Sequence, residues 1–443
     1  MASGEQAPNA WKVLFLLFLA NLLNFFDRAV PAIVIEPVRR EWGLSDFQIG
    51  LAAAAFTITY ALAGLPLGRI ADTGSRKKVM AWGLIAWSGF TALCGATWSF
   101  GSFIAMRIGV GIGEASYAPA ASSLIGDLFP AHKRARAAGI FMLGLPLGLI
   151  LAFFSVGAMA KAFDSWRAPF VIAMFPGLIF AALMFTIREP ARGSAEAFRM
   201  TGAPVDRPIR ALMRIPTLWW MVAAGVAANF AAYSASAFLV PLLQRYFGLP
   251  LESAAVSTGI IVGLTGLVGL IAGGWITDFL HQRFERGRLV FAAVCLAGGA
   301  VLTWFALSAE RSAPTAFVTL FALGWLLQYS YYTSLYPAMQ DIVDPRLRAT
   351  ATAVFFAALY LLGGAFGPLV VGFLSDHYAQ AAMQAAGASE MTEEFKALGL
   401  HGAMILVPIS LAATSVALWF ASRSFPADAR AMQRGVVAAG AGA

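Results

Sequence analysis

Apolar runs of about 20 residues recur about every 30 residues along this chain, and each is long enough to cross a bilayer as a helix. Lipid offers the backbone no hydrogen-bond partners, so a chain with many such runs folds as a helical bundle. Twelve runs are read, near residues 11–34, 47–68, 79–98, 101–126, 136–160, 168–187, 217–243, 254–277, 289–308, 314–339, 349–374 and 401–421. The residue balance agrees, with 59% hydrophobic and 12% charged residues, against about 25% charged in soluble domains. The expected class is an all-α membrane protein with twelve transmembrane helices. The first run is too long for a signal peptide, holds Asp27 and Arg28, and precedes no small-residue cleavage site.

Orientation follows from the loops. With the N-terminus placed in the cytoplasm, the cytoplasmic segments hold roughly three times as many Lys and Arg as the external ones. That bias accounts for the net charge of +8 as anchoring to anionic inner-leaflet lipid, and nucleic-acid binding is not needed to explain it. The expected location is a bacterial-type inner membrane with both termini cytoplasmic. Cys94 and Cys295 fall inside separate runs, and His132, His281, His377 and His401 lie in loops or at run ends. No His, Cys or acidic residues have metal-ligand spacing, so neither a metal nor a cofactor is expected.

The segment 188–216 is the longest polar cytoplasmic stretch and divides the runs six and six. It reads as a linker with a short amphipathic piece at Ile209–Met213. The expected division is 1–187, a linker at 188–216, a second half at 217–422, and a cytoplasmic tail at 423–443. The tail beyond Phe425 reads as disordered. The halves echo each other roughly 210 residues apart, as in transporters built from repeats. Gly68 and Asp72, followed by Arg76, Lys77 and Lys78, match Gly274 and Asp278, followed by Arg286 and Arg288. The loop Asp127–Ala135 matches Asp341–Ala349.

The repeated G-x-x-x-D loops with trailing basic residues resemble the signature of the major facilitator superfamily. Asp27-Arg28 in span 1 and the run R-x-G-x-G-x-G-E-A-S-Y from Arg107 to Tyr117 resemble its spinster-like branch. Thr73 stands where that family commonly has a basic residue. The resemblance implies two pseudo-symmetric six-helix halves that rock in alternating access, and carriers of lysolipids and sphingolipids are among the branch's members.

Buried charge is the strongest functional signal. A charge at mid-membrane costs about 2.5–3.5 kcal/mol on insertion scales. At about 1.5 Å of rise per residue, Asp27 and Arg107 lie at similar depth and are able to pair. Glu114 is seven residues further along the Arg107 face and deeper. Asn21 and Asn24 extend a polar stripe down span 1. A carboxylate beside Arg keeps its charge, and one in an apolar wall takes up a proton. The expected proton-coupling set is Asp27, Glu114, Arg107 and Arg28. A static ion pair that fixes packing is the plainer alternative, and Glu114, after Gly109, Gly111 and Gly113, fits a close helix contact as well.

The second half carries almost no charge in its spans. It has Gln328, Tyr329, Tyr331, Tyr332 and Tyr336 instead, with Tyr329, Tyr332 and Tyr336 on one face, and Asn229 with Tyr233 in span 7. These residues, with Asn24, Arg28 and Arg107, form the expected substrate-binding set. An interfacial aromatic belt is the alternative for the tyrosines. Gly68, Asp72, Arg76, Lys77, Gly274, Asp278 and Arg286 form an expected cytoplasmic latch. Gly139, Gly144, Pro146 and Gly148 in span 5, and Gly363, Gly364, Gly367 and Pro368 in span 11, read as close-packing or hinge positions.

The function expected is a monomeric, proton-coupled secondary transporter. Its partners are protons, membrane lipids and an amphipathic or anionic small molecule, of lysolipid or sphingolipid class. The alternatives are a symporter of a small organic anion, a multidrug-type exporter, and a non-transporting receptor or scaffold. An enzyme is disfavoured because no His/Asp/Ser constellation occurs.

Overall fold

The computed structural model describes residues 9–191, 208–344 and 347–441, with backbone alone at 131, 132, 135, 208, 349 and 435–441. The side chain of His132 and linker positions 192–207 lie outside the described residues. Helix dominates, and no strand occurs among the described residues. The first part of the chain contains α1 (Ala10–Trp42), α2 (Asp46–Thr73), α3 (Arg76–Cys94), α4 (Phe100–Ala115), α5 (Tyr117–Leu128), α6 (Ala131–Met142), α7 (Gly144–Ala162) and α8 (Ala168–Thr186). A short α9 (Pro208–Leu212) stands where the amphipathic piece was expected. The rest holds α10 (Pro216–Arg245), α11 (Leu251–Gly259), α12 (Thr265–Arg283), α13 (Gly287–Leu307), α14 (Pro314–Gln328), α15 (Ser330–Ile342), α16 (Arg348–Ala358), α17 (Phe366–Ala385), α18 (Glu393–Ala403) and α19 (Leu406–Ala441).

These helices make the twelve expected crossings. Among the described residues, nine helical stretches are long and apolar enough to cross by length and composition alone. The other three are α3, whose first turn is Arg76-Lys77-Lys78, and the interrupted pairs α4/α5 and α14/α15. Large apolar side chains stand exposed along the crossings, among them Leu65, Trp275 and Val294. In water such a surface would aggregate; in a bilayer it meets acyl chains.

Local chemistry sets the ends and breaks. Ser45 accepts from the Gln48 amide and the Gln48 side chain accepts from the Ser45 amide, a capping box that starts α2. Gly43 takes φ 64° to stop α1. The breaks at Ser116 and Leu143 each precede a proline by three residues, Pro119 and Pro146, and proline leaves the carbonyl four residues back without its helical donor. The α14/α15 break at Tyr329 has no such proline and corresponds by repeat to the break at Ser116. Ser116 Oγ donates to Gly113 O at 2.7 Å, and Ser330 Oγ donates to Leu327 O at 2.7 Å. Two π-helical stretches, Ile260–Leu264 and Leu359–Ala365, interrupt crossings 8 and 11.

The chain forms two compact units. One holds the described residues to 191 together with Pro250–Gly259; the other holds 208–249 and those from 260 onward. α11 thus groups with the first six crossings. The bare Gly157 on α7 admits it, with the position of a Cβ there only 3.1 Å from Glu252 Cα, and Lys161 pairs with Glu252 at 2.8 Å.

Each unit packs its first crossing against its fifth through paired glycines. Gly144 and Gly148 of α7 sit against Asn21, Leu22 and Phe25 of α1. Gly363 and Gly367 sit against Val226, Asn229, Phe230 and Ser234 of α10. Gly139 touches nothing in this way, so it differs from the other glycines singled out in span 5. The tail departs from expectation: α19 continues as helix to Ala441. Its sequence is rich in alanine, the strongest helix former, and Asp428 and Ser424 tie it to Thr217 at the start of α10.

Candidate functional site

The first unit gathers its membrane-embedded charges from α1 and α4 and surrounds them with side chains of α2 and α3. Asp27 and Glu114 are 1% and 0% exposed, and Arg107 is 5% exposed. The expected Asp27–Arg107 ion pair does not form. Arg28 Nε instead donates to Glu114 Oε2 at 2.6 Å. Asp27 Oδ2 accepts from the indole N–H of Trp87 at 3.2 Å. Helical rise gives depth but not azimuth, and Arg28 is long enough to reach a carboxylate at another level.

The guanidinium groups lie on aromatic faces. Arg28 is 4.2 Å from the Tyr60 ring centre and 5.4 Å from that of Phe56. Arg107 is 4.5 Å from the Phe56 ring centre and makes no hydrogen bond or ion pair among the described residues. Such cation–π contacts are worth up to about 2 kcal/mol when desolvated. Asp27 Oδ1, Glu114 Oε1, Asn24 Nδ2 and Thr91 Oγ1 are buried without a hydrogen-bond partner among the described residues. Orphaned buried polar atoms are rare in finished cores and collect where a protein binds something or moves a proton. Asn21 is used structurally, donating to Phe141 O at 2.9 Å.

The glycine run that precedes Glu114 explains how four polar helices approach. A Cβ at Gly109 would lie 2.6 Å from the Phe90 ring, and one at Gly113 would lie 2.8 Å from the Trp87 backbone nitrogen. Gly111 faces the other way, toward Phe56 O at 3.1 Å. The run therefore seats α4 between α2 and α3. Glu114 thus directly follows a tight helix contact and holds an ion pair.

The second unit places its aromatic residues in a ladder. Tyr332 stacks on Tyr336 at 6.5 Å, Tyr336 meets Phe356 at 5.8 Å, Phe356 stacks on Tyr360 at 5.9 Å, and Tyr360 meets Tyr233 edge-on at 6.2 Å. Tyr329 stands apart from this ladder in role: its hydroxyl donates to Val262 O within the π-helical stretch. Asn229 is turned inward, donating to Gly225 O at 3.0 Å in its own helix. Gln328 is 1% exposed with Nε2 unpartnered, and Tyr331 is fully buried with its hydroxyl unpartnered. By the repeat, Gln328 occupies the place of Glu114 and Tyr331 that of Tyr117.

At the cytoplasmic end of the first unit Arg76 is a hub. It donates to Asp127, to Glu189 Oε1 at 2.8 Å, to Ser123 Oγ at 3.1 Å and to Pro190 O at 3.0 Å. Burial opposes its charge, yet the bonds to Asp127 and Glu189 outweigh that and raise its pKa. Burial likewise raises Glu189, but the bonds from Arg76 and Ser75 bring it below its ordinary value. Lys77 caps Phe185 O and Ile187 O. Asp72 is exposed and forms no ion pair or hydrogen bond among the described residues. Gly68 lies against Pro119, while Gly274 faces open space.

In the second unit the equivalent of Arg76 is Arg288, not Arg286. Arg288 bonds Asp341 at 2.7 Å and lies 3.5 Å from Asp278, whereas Arg286 is exposed. The choice between two basic residues two positions apart depends on helix azimuth, which loop spacing does not carry.

Sequence reasoning missed Trp87, Phe56, Tyr60, Glu189, Phe356 and Tyr360. Beyond the end of the first apolar run, α1 continues to Trp42, and Arg39 there is 2% exposed in a pair with Glu36. Trp87 had no signal of its own in an apolar run. The spacing of Phe56 and Tyr60, one helical turn apart on α2, was a usable one.

A family model for the Major Facilitator Superfamily matches residues 17–368. The chain is similar to the hexuronate transporter of Bacillus subtilis, 29% identical over 386 residues that cover 85% of this chain and 89% of that one. It is also similar to the sphingosine-1-phosphate transporter SPNS2 of Xenopus tropicalis, 27% identical over 376 residues that cover 82% and 73%. Among solved structures it resembles a bacterial homologue of the human lysosomal transporter spinster in an inward-facing, unoccupied conformation. The TM-score is 0.84 and the identity 27%, with 96% of this chain and 99% of that chain covered.

Proposed function

Because the chain belongs to the Major Facilitator Superfamily, a family of membrane transporters, we propose that it is a proton-coupled secondary transporter of an amphipathic, lipid-like molecule. The observation that carries the coupling is the unequal pairing of two carboxylates in one site. Glu114 is held by Arg28, and Asp27 is held only by a neutral indole, with its second oxygen free. A carboxylate without a cation partner at such burial is the one whose charge is cheapest to remove. Asp27 therefore carries the proton, and Glu114 with Arg28 forms the fixed pair beside it.

The cargo class rests on the contrast between the units. The first supplies cations, and the second supplies the aromatic ladder of Tyr332, Tyr336, Phe356, Tyr360 and Tyr233 with few charges. A lysolipid or sphingolipid has a head group for the one and a chain for the other, and the likeness to SPNS2 supports that class. Tyr332→Ala tests it through a series of ligands with one head group. Each buried CH₂ is worth about 0.8 kcal/mol, so the loss of affinity grows with chain length. A loss equal at every length removes the lipid reading.

Arg107 favours a second reading. Its guanidinium lacks an ionic partner and is suited to anchor a small organic anion, and the similarity to a hexuronate transporter supports it. Uptake of a lysolipid and of a hexuronate by proteoliposomes under a pH gradient distinguishes the two. The reading includes a monomer in a bacterial-type inner membrane, with the cytoplasmic termini that the loop charges favour.

A further inference from the structure

We propose that Trp87 is a positioning residue for proton coupling: it holds the Asp27 carboxylate in its ionised form and ties that charge state to the bend at Ser116. This inference rests on Asp27 as the proton carrier. Trp87 is fully buried, and its indole N–H is the one hydrogen-bond donor to Asp27 among the described residues. Its backbone is the surface against which Gly113 packs, one residue before Glu114. Its ring meets Tyr117 edge-on at 5.6 Å, and Tyr117 donates to Leu17 O at 2.6 Å. A single side chain thus touches the proton carrier, the residue before the fixed ion pair, and the first residue after the break in the α4/α5 crossing.

The chemistry is a switch between two partners of one donor. An ionised Asp27 accepts the indole N–H strongly, because hydrogen bonds to charged acceptors are the stronger kind. A protonated Asp27 is a weaker acceptor, and the indole is then free to shift against Tyr117. The other groups acting on Asp27 are Glu114 and Arg107 from α4, Cys94 from α3 and Arg28 on α1 itself. On the remaining elements packed against α1, α8 carries no charge. On α5, α6, α7 and α11 the charged side chains described are Asp127, Lys133, Arg134, Lys161 and Glu252 near helix ends and Arg136 midway along α6. Trp87 is therefore the neutral group that tunes the site.

Trp87→Phe keeps a ring and removes the N–H, and Trp87→Gln keeps a donor and removes the ring. In proteoliposomes, Trp87→Phe moves the midpoint of pH-driven transport to higher pH by about one unit. Trp87→Gln moves it less, and Asp27→Asn abolishes the pH dependence. A Trp87→Phe profile that superimposes on wild type overturns the role of Trp87 while leaving Asp27 as carrier. Equal shifts in the Phe and Gln variants also overturn it, because packing alone would then explain both. An Asp27→Asn protein that keeps wild-type pH dependence overturns the reading beneath it instead. The indole ¹⁵N–¹H signals of wild type give a check independent of any Trp87 variant. One of them follows pH with the transport midpoint and ceases to do so in Asp27→Asn; if none does, the switch is absent.

Discussion

Arg28 of α1 donates to Glu114 of α4 at 2.6 Å, with the carboxylate fully buried and the guanidinium nearly so. Removing one partner of a buried pair leaves an uncompensated charge and costs about 3–5 kcal/mol. Glu114→Gln is therefore expected to destabilise the protein by about 3 kcal/mol or more. Asp27→Asn only weakens a hydrogen bond from an indole, which the amide oxygen still accepts, and is expected to cost about 1 kcal/mol or less. Thermal unfolding in detergent compares the two, and equal losses would show that Arg28 is not bound as described.

The cytoplasmic hubs predict an order of sensitivity. Arg76→Ala strips donors from Asp127, Glu189, Ser123 and Pro190 and is expected to be among the costly substitutions, at about 3 kcal/mol. Arg288→Ala should also cost stability, while Arg286→Ala and Asp72→Asn should fall within about 0.5 kcal/mol of wild type. Thermostability of the four variants in detergent checks the order. A large loss in Arg286→Ala would contradict the assignment of Arg288.

Acid stability has a local source outside the membrane. Glu41, beyond the apolar part of α1, accepts from Arg167 at 2.6 Å and from the Trp166 indole at 2.7 Å. These bonds hold its pKa at about 2, below the ordinary 4.5. A depressed carboxylate contributes stability above its unfolded pKa and loses it as pH falls toward the folded one. The contribution is whole above 4.5 and fades from there down to about 2. Glu41→Gln should flatten this limb of the unfolding midpoint against pH. An unchanged limb would place the acid response elsewhere.

Gly113→Ala should disrupt α4 against α3, because the added carbon meets the Trp87 backbone at 2.8 Å. Overpacking of this kind costs about 1–3 kcal/mol. Gly139→Ala meets nothing within 4 Å and should be neutral or stabilising, since alanine is the better helix former by about 1 kcal/mol. Unfolding of the two variants in detergent tests the contrast, which reverses if the run is only a flexible stretch.

The twelve crossings and the twofold repeat of six were legible because lipid forces a period and a length on the sequence. So were Asp27, Arg28, Arg107 and Glu114, since charge is conspicuous in an apolar run. Their partners were not legible. Pairing depends on helix rotation and side-chain reach, so depth alone suggested Asp27 with Arg107 and missed Arg28 with Glu114. Trp87 was invisible because an indole in a membrane run looks like any apolar residue. The helical tail was misread because a small-residue composition was taken for disorder, and the bond from Thr217 to Asp428 leaves no trace in either local segment.

Ser116 and Ser330 bend their crossings with the same hydrogen bond, each to the carbonyl three residues back. The residues two positions before them differ: Glu114 in one copy and Gln328 in the other. The shape of the bend is thus common to both copies, while the ionisable chemistry beside it belongs to one.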